Sequence, residues 1–375
     1  MLFAPQQMLM KYILQIPALL TIGGAEKVAR DIGLYSDPSE YEVHYIVFGD
    51  KIGEYEQVLL DHGCKIVHLA GPSQSYSRFV RELVRQMKEY PYTAVHAHTM
   101  FNAGWCMLAA RLAGIPVRIT HAHSALRNGT SLKKRLYESL MRHLILSCST
   151  DLIACGEAAG QRLYGERTFR RKGQLIRNGI DTGAYAFNRT SRDRIRNQLH
   201  LQDSFVIGHV GHLAAVKNQS FLIRLMPSIL QKQPSAKLLM LGEGEDRPML
   251  ERLIQELGLS EHVIMTGNVR NVPDYLSAMD VFAFPSLFEG MPLSILEVQA
   301  NGLPCVLSTS VPRDVFLSDL LNPLPLDEPE RWVEAICSSQ RSEPERFHAL
   351  LKQSGIDTEA VMKKFYSIYD HVCET

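Results

Sequence analysis

Two doubly wound α/β domains are the architecture that this 375-residue chain predicts. Three observations point there: short β-rich runs alternate with longer helical stretches, the alternation restarts near residue 180, and glycines mark the loops after several β-rich runs. In the first half the β-rich runs are residues 12–17, 42–48, 65–69, 94–97, 117–122 and 151–154. In the second half they are residues 206–211, 237–242, 263–266, 280–284 and 304–308. The break falls at Arg177-Asn178-Gly179-Ile180-Asp181, a cluster of turn residues ahead of a polar, Arg-rich segment at 188–200. The expected domains are therefore residues 1–180 and 181–357. Ligands of such sheets bind beyond the carboxyl ends of the strands, so the residues after each run carry the search for function.

Composition narrows the function class. Hydrophobic content is 46% and 40 basic residues balance 40 acidic ones, which describes a soluble globular chain with no net charge to attract nucleic acid. The seven cysteines are odd in number, scattered and free of C-x-x-C spacing, which argues against a disulfide framework and a zinc site and for a reducing cytoplasm. No run approaches the ~18 apolar residues of a spanning helix. Residues 1–10 lack a basic start followed by a long apolar core, so secretion is not expected either. Any membrane contact is then peripheral.

Taken in chain order, the first loop of interest is Gly23-Gly24-Ala25-Glu26, which follows the first β-rich run and opens a helix. Glycine there lets backbone amides approach a phosphate, although an ordinary strand-to-helix turn has the same composition. His96 and His98, then His121 and His123, end two strands of the first half, each pair on one strand face. No Asp, Glu or Cys lies beside either pair to complete a metal site, which leaves histidines packed under loops or a cleft lining of hydrogen-bonding groups. Segment 131–147 carries Leu132, Leu136, Leu140 and Leu144 on a broad apolar arc with Lys134, Arg135 and Arg142 to one side. The pattern favours a helix that buries this arc over one that meets anionic headgroups at a membrane.

In the second half, Gly208-His209-Val210-Gly211-His212 leads through a loop to Lys217, near the start of the next helix, where an ammonium and helix amides could jointly neutralise a diphosphate. The following strands end in Gly242-Glu243-Gly244 and in Gly267-Asn268-Val269-Arg270. The stretch Glu289-Gly290-Met291-Pro292-Leu293-Ser294-Ile295-Leu296-Glu297 is the most informative. It places one carboxylate in a turn after a buried strand and a second inside a helical run, beside a helix N-terminus. Amides and a positive dipole end suit a phosphate, and Glu289 suits hydroxyls.

Gly-Gly-Ala-Glu26, His-Ala-His123, Arg-Asn-Gly-Ile-Asp181, Gly-x5-Lys217 and Glu289-x7-Glu297 occur in the order seen in family 4 retaining glycosyltransferases of GT-B architecture. The resemblance covers almost the entire chain, and within the family it is most similar to bacterial capsular and exopolysaccharide transferases. It implies two Rossmann-like domains facing across a cleft, the first taking the acceptor and the second a nucleotide-sugar, with a C-terminal helix at about 358–375 packing back on the first. By the same resemblance Glu297 holds the ribose, Glu289 the sugar hydroxyls, and the backbone of Gly290, Met291, Leu293 and Ser294 the sugar and phosphates. Lys217 and His212 face the diphosphate, Val269 and Arg270 border the base, Gly23 and Gly24 cover the distal phosphate, and His123 lies near the anomeric carbon. The implied catalytic set is Glu289, His123 and Lys217. The implied donor is a UDP-sugar, used as a substrate with no metal or other cofactor, and the implied acceptor is a lipid-linked saccharide.

One departure stands out: His212 occupies a position where many relatives carry Arg. The fixed cation is absent unless Arg270 or Arg127 replaces it. Three readings share these residues: a hexose or N-acetylhexosamine transferase, an epimerase acting on a free nucleotide-sugar, and a non-catalytic nucleotide-sugar binder. The intact Glu289 and Lys217 favour the first.

Overall fold

In the computed structural model, which describes residues 10–71, 75–124 and 131–371, every strand among those residues pairs parallel to its neighbours in one of two sheets. The chain divides into two compact units. The first holds the residues up to Gly179 together with the helix Thr358–Tyr369, and the second is Ile180–Asp357.

The first sheet contains β1 (Lys11–Ile16), β2 (Tyr41–Phe48), β3 (Lys65–Leu69), β4 (Tyr92–Ala97), β5 (Val117–Ala122), β6 (Asp151–Ala154) and β7 (Gly173–Leu175), in the order β3-β2-β1-β4-β5-β6-β7. Helices cover its faces, so its inner strands read as nearly continuous apolar runs. Ile13, Val43, Tyr45, Ile119 and Ile153 form one core with Val28 and Ile32 of the helix Gly24–Leu34. Val361, Met362, Phe365, Ile368 and Tyr369 of the helix Thr358–Tyr369 complete that core. Each such side chain contributes about 1.5–3 kcal/mol by leaving water, enough to hold the chain's last helix on the first unit. Lys11 pairs with Asp370 at 2.6 Å, and Gln15 Nε2 donates to the Tyr369 hydroxyl at 3.1 Å.

The helix Leu132–Cys148 corrects the expectation of a buried leucine arc. Leu132, Leu136 and Leu140 are 78%, 72% and 49% exposed, and the buried face is Met141, Ile145 and Cys148. The helix carries two apolar stripes, and its neighbour, the helix Ala103–Ala113, selects between them. Gly104 of that neighbour lies so close to Met141 that an added Cβ would stand 2.9 Å from the Met141 carbonyl oxygen. Only one stripe can meet that surface, and Leu132, Leu136 and Leu140 are left outside while Leu144 is half-buried.

The second sheet contains β8 (Phe205–Val210), β9 (Ala236–Leu241), β10 (Val263–Met265), β11 (Val281–Phe284), β12 (Cys305–Ser308) and β13 (Leu321–Leu324), in the order β10-β9-β8-β11-β12-β13. Leu238, Met240, Val281 and Ala283 pack against Leu222, Ile223 and Met226 of the helix Gln219–Lys232 and against Trp332. The Arg-rich segment forms the helix Arg189–Gln198. Its Arg192 and Arg196 pair with Asp280 at 2.6 and 3.2 Å, and Asp280 also accepts the Val206 amide at 2.7 Å. That cluster clamps the amino ends of β8 and β11 and leaves their carboxyl ends for loops.

Two strands escape the pattern reading, β7 and β13, and both are sheet edges. The first is three residues long and begins with Gly173; the second contains Pro323, whose missing N–H an edge tolerates. Neither buries enough apolar surface to announce itself in the sequence.

At the carboxyl edge of the second sheet the loops touch backbone to backbone. Gly242 adopts φ +134°, donates its amide to the Gly267 carbonyl at 3.0 Å, and offers no room for a Cβ against the Gly211 carbonyl. Gly242→Ala should therefore lower the stability of this unit by about 2 kcal/mol or more. A urea transition followed by Trp332 fluorescence checks it, and an unchanged midpoint would remove the close approach as a constraint.

Candidate active site

In each sheet the strand order reverses once, between β1 and β4 and between β8 and β11, and loops leaving such a reversal diverge and open a crevice. After β8 the chain runs through residues 211–214 to a 3-10 turn, Ala215–Lys217. Asn218, in the left-handed region at φ 54°, turns it into the helix Gln219–Lys232. After β11 the chain runs through Pro285 and Ser286 to Glu289. Two hydrogen bonds tie these loops together: Leu287 N to the Val216 carbonyl at 2.8 Å, and Asn218 Nδ2 to the Pro285 carbonyl at 3.3 Å. As a result the Lys217 ammonium reaches Glu289 Oε1 at 2.7 Å and lies 5.2 Å over the Phe284 ring.

Beneath the pair, His209 is fully buried and its pKa is pushed down to about 4 by desolvation. Its Nδ1 donates to the Ala283 carbonyl at 3.0 Å, and its Nε2 accepts from Gln219 Nε2 at 3.3 Å. Gln219 also donates to the His212 carbonyl at 2.9 Å, so one buried network supports the whole loop that carries Lys217.

Lys217 is 21% exposed and the Glu289 side chain 9%, so the pair is partly withdrawn from solvent, where its mutual attraction exceeds that of a surface pair. It is a poised arrangement. An anion can take the ammonium, and a hydroxyl can donate to the released carboxylate. Immediately after Glu289, the helix Leu293–Ala300 begins, and the amides of Gly290, Met291, Leu293 and Ser294 have no backbone acceptor among the described residues. Glu297 is buried one turn further along.

The remaining expected contacts of the second unit are more dispersed. His212 Nε2 lies 2.8 Å from Glu245 Oε2 at the surface, and with the Glu245 amide it holds that carboxyl below the usual range. Its imidazole is thus paired outward and does not join Lys217. Val269 is half-buried and Arg270 exposed on the loop after β10, which reaches the site edge through the Gly242–Gly267 contact. Arg127 lies outside the described residues.

In the first unit, Gly23 caps the helix Gly24–Leu34 and the flexible Glu26 carboxyl folds back into the space beside it. Burial raises the Glu26 pKa, opposed by a hydrogen bond from its own amide. His123 follows β5 and belongs to a stack of four imidazoles: His96, His98 and His121 are buried, and the rings of His121 and His123 lie 3.9 Å apart. Burial pushes all four pKa values down, that of His123 to about 3. Nitrogens of His96, His98 and His121 come within 4.8 Å of one another, but no carboxylate or cysteine belongs to that group to offset a buried cation. Beside the stack, a cavity of about 270 Å³ is lined by Thr99, Asn102, Ser124, Lys134, Glu138 and Arg162, with Met100 at φ 50° on its rim. Arg162 pairs with Glu138 at 2.7 Å there. No sequence motif marked this cavity, because its residues come from four separate segments.

Known proteins resemble this chain in sequence and fold. The family model described as "Glycosyltransferase Family 4" matches residues 22–184, and that described as "Glycosyl transferases group 1" matches residues 191–323. A Bacillus subtilis (strain 168) protein named "Putative glycosyltransferase EpsF" is 32% identical over 370 residues, 96% of each chain. The chain belongs to glycosyltransferase family 4. Another relative, the Escherichia coli "UDP-Gal:alpha-D-GlcNAc-diphosphoundecaprenol alpha-1,3-galactosyltransferase", is 31% identical over 235 residues, 60% of each chain. Among solved structures, Anabaena Alr3699/HepE in complex with UDP-glucose superposes with a TM-score of 0.76 at 21% identity, covering 97% of this chain and 100% of that one. The fold is the GT-B fold of this glycosyltransferase family.

The buried histidines make stability depend on pH. Their folded pKa values lie below the ordinary value of 6.5, so the unfolded chain takes up protons first as pH falls. Stability is complete above that value and declines toward the folded values near 3 and 4, by up to about 1.4 kcal/mol per pH unit for each histidine. Among the described residues five such groups, His44, His96, His98, His121 and His123, lie in the first unit and one, His209, in the second. Trp105 and Trp332, the two tryptophans of the chain, report on the units separately. Between pH 7 and 5, the unfolding midpoint of a Trp332→Phe variant, read from Trp105, should fall further than that of a Trp105→Phe variant. Equal shifts would show that the histidines are not held neutral.

Proposed function

We propose that this glycosyltransferase moves a hexose or N-acetylhexosamine from a UDP-sugar to a lipid-linked saccharide, with retention of configuration, in capsule or exopolysaccharide synthesis. The observation that carries the reading is the Lys217–Glu289 pair at the strand-order reversal, beside the amides that open the helix Leu293–Ala300. In this reading the donor diphosphate takes the Lys217 ammonium and the helix amides, Glu289 turns to the sugar hydroxyls, and Glu297 holds the ribose. Val269 and Arg270 border the base, and His123 serves the reacting end of the sugar. The C1–O bond to the distal phosphate breaks, the acceptor oxygen forms the new bond to C1, and a distal phosphate oxygen takes the acceptor proton. Lys217 and the amides stabilise the charge that develops on the leaving diphosphate. The UDP and diphosphoundecaprenol in the name of the E. coli relative, and the UDP-glucose in the HepE complex, support the choice of donor and acceptor class.

The acceptor's polar end suits the cavity beside His123. Next to it, the exposed leucines of the helix Leu132–Cys148, flanked by Lys133, Lys134 and Arg135, suit a membrane surface. No helix among the described residues is long and apolar enough to cross a membrane.

With a panel of UDP-, GDP- and ADP-sugars, one UDP-sugar should give nucleoside diphosphate release that a lipid-linked acceptor extract stimulates. Glu289→Ala should lower that release by about 10²–10³-fold. A changed free nucleotide-sugar without any acceptor effect would make the protein an epimerase instead. Vesicles containing phosphatidylglycerol should retain the protein, and a Leu132→Asp/Leu136→Asp variant should be lost from them; equal retention of both would sink the membrane contact.

A further inference from the structure

The hydrogen bonds around the histidine stack run in one direction, and that direction decides which nitrogens carry protons. Gln15, fully buried in β1, points its amide nitrogen at the Tyr369 hydroxyl and its Oε1 at His98 Nε2, 2.9 Å away. An amide oxygen only accepts, so the His98 proton sits on Nε2. Burial, and secondarily the neighbouring His96 and His123, hold the His98 ring neutral, so its Nδ1 is a lone pair. That lone pair lies 2.8 Å from His123 Nε2 and accepts from it. His123 is neutral as well, which leaves its own Nδ1 bare: a buried acceptor with no partner among the described residues. On the other branch, the Tyr369 hydroxyl accepts from Gln15 and so donates to His96 Nδ1 at 2.8 Å. His121, with neither ring nitrogen partnered among the described residues, packs against His96, His98 and His123.

We propose that Gln15 and Tyr369 are positioning residues that hold His123 as the Nε2–H tautomer, so that its Nδ1 accepts a hydrogen bond from a hydroxyl of the substrate sugar. The proposal rests on the transferase reading above. An unmade buried acceptor is costly, and a substrate hydroxyl is a donor that removes the cost on binding. The opposite tautomer would present an N–H and favour a carbonyl or carboxylate in its place. A single strand residue and the helix Thr358–Tyr369 thereby set which polarity of group His123 recognises.

The tautomers can be read without activity, from long-range ¹H–¹⁵N correlations on protein labelled with ¹⁵N-histidine. Wild type should show His98 and His123 protonated at Nε2 and bare at Nδ1. Gln15→Met, and independently Tyr369→Phe, should mix the tautomers at both residues. In acceptor-stimulated UDP release with the UDP-sugar that supports it, each variant should lose kcat by about 10- to 100-fold with the donor KM little changed. A wild-type His123 protonated at Nδ1 would overturn the proposal, as would variants that lose kcat while both tautomers persist. Unchanged release by His123→Ala would overturn it too while leaving the transferase reading intact. If wild type gives no acceptor-stimulated release with any UDP-sugar, the transferase reading is what fails, and the spectra still report the tautomers.

Discussion

In a parallel sheet, all loops at one end leave strand carboxyl termini, and where the strand order reverses two adjacent loops must part. The second sheet reverses between β8 and β11, and the Lys217–Glu289 ion pair stands on the two loops that part there. Its geometry draws on much of the surrounding unit. The Asp280 cluster fixes the amino ends of the two strands, His209 and Gln219 support the lysine loop from below, and glycines at 242 and 267 let the neighbouring loops close in. A lysine and a glutamate held this way neutralise each other at rest and can each exchange their partner for a ligand group of matching polarity.

The first unit uses the same topology with different chemistry. Its strand ends carry imidazoles that burial keeps uncharged, so at neutral pH they act as oriented donors and acceptors and not as cations. The run of contacts that starts at the Gln15 amide in β1 passes through His98 to His123, two strands away. The nearby cavity carries charged groups instead, Lys134 and the Arg162–Glu138 pair.

Much of the fold was legible in the chain. The inner strands announce themselves as apolar runs because both of their faces are covered, and the glycines after β9 and β10 mark places where backbones touch. The edge strands were not legible, since three or four half-exposed residues leave no periodic trace. Lys217 and Glu289 are readable as residues that follow strands. Their contact is not, because it joins loops 72 residues apart. Gln15 drew no notice within its apolar strand, because its partners lie 83 and 354 positions away.

The sequence by itself determined the two-unit α/β architecture, the family, and the strand ends at which charged and glycine residues gather, because local periodicity and short motifs are properties of contiguous residues. Only the tertiary structure decided which apolar stripe of the helix Leu132–Cys148 is buried, that His212 pairs with Glu245 and not with the Lys217 loop, and which nitrogens of the buried imidazoles face one another. Each of these is a choice among partners that are locally equivalent. Such choices depend on which remote surface arrives at the residue, and no pattern within the residue's own segment records it.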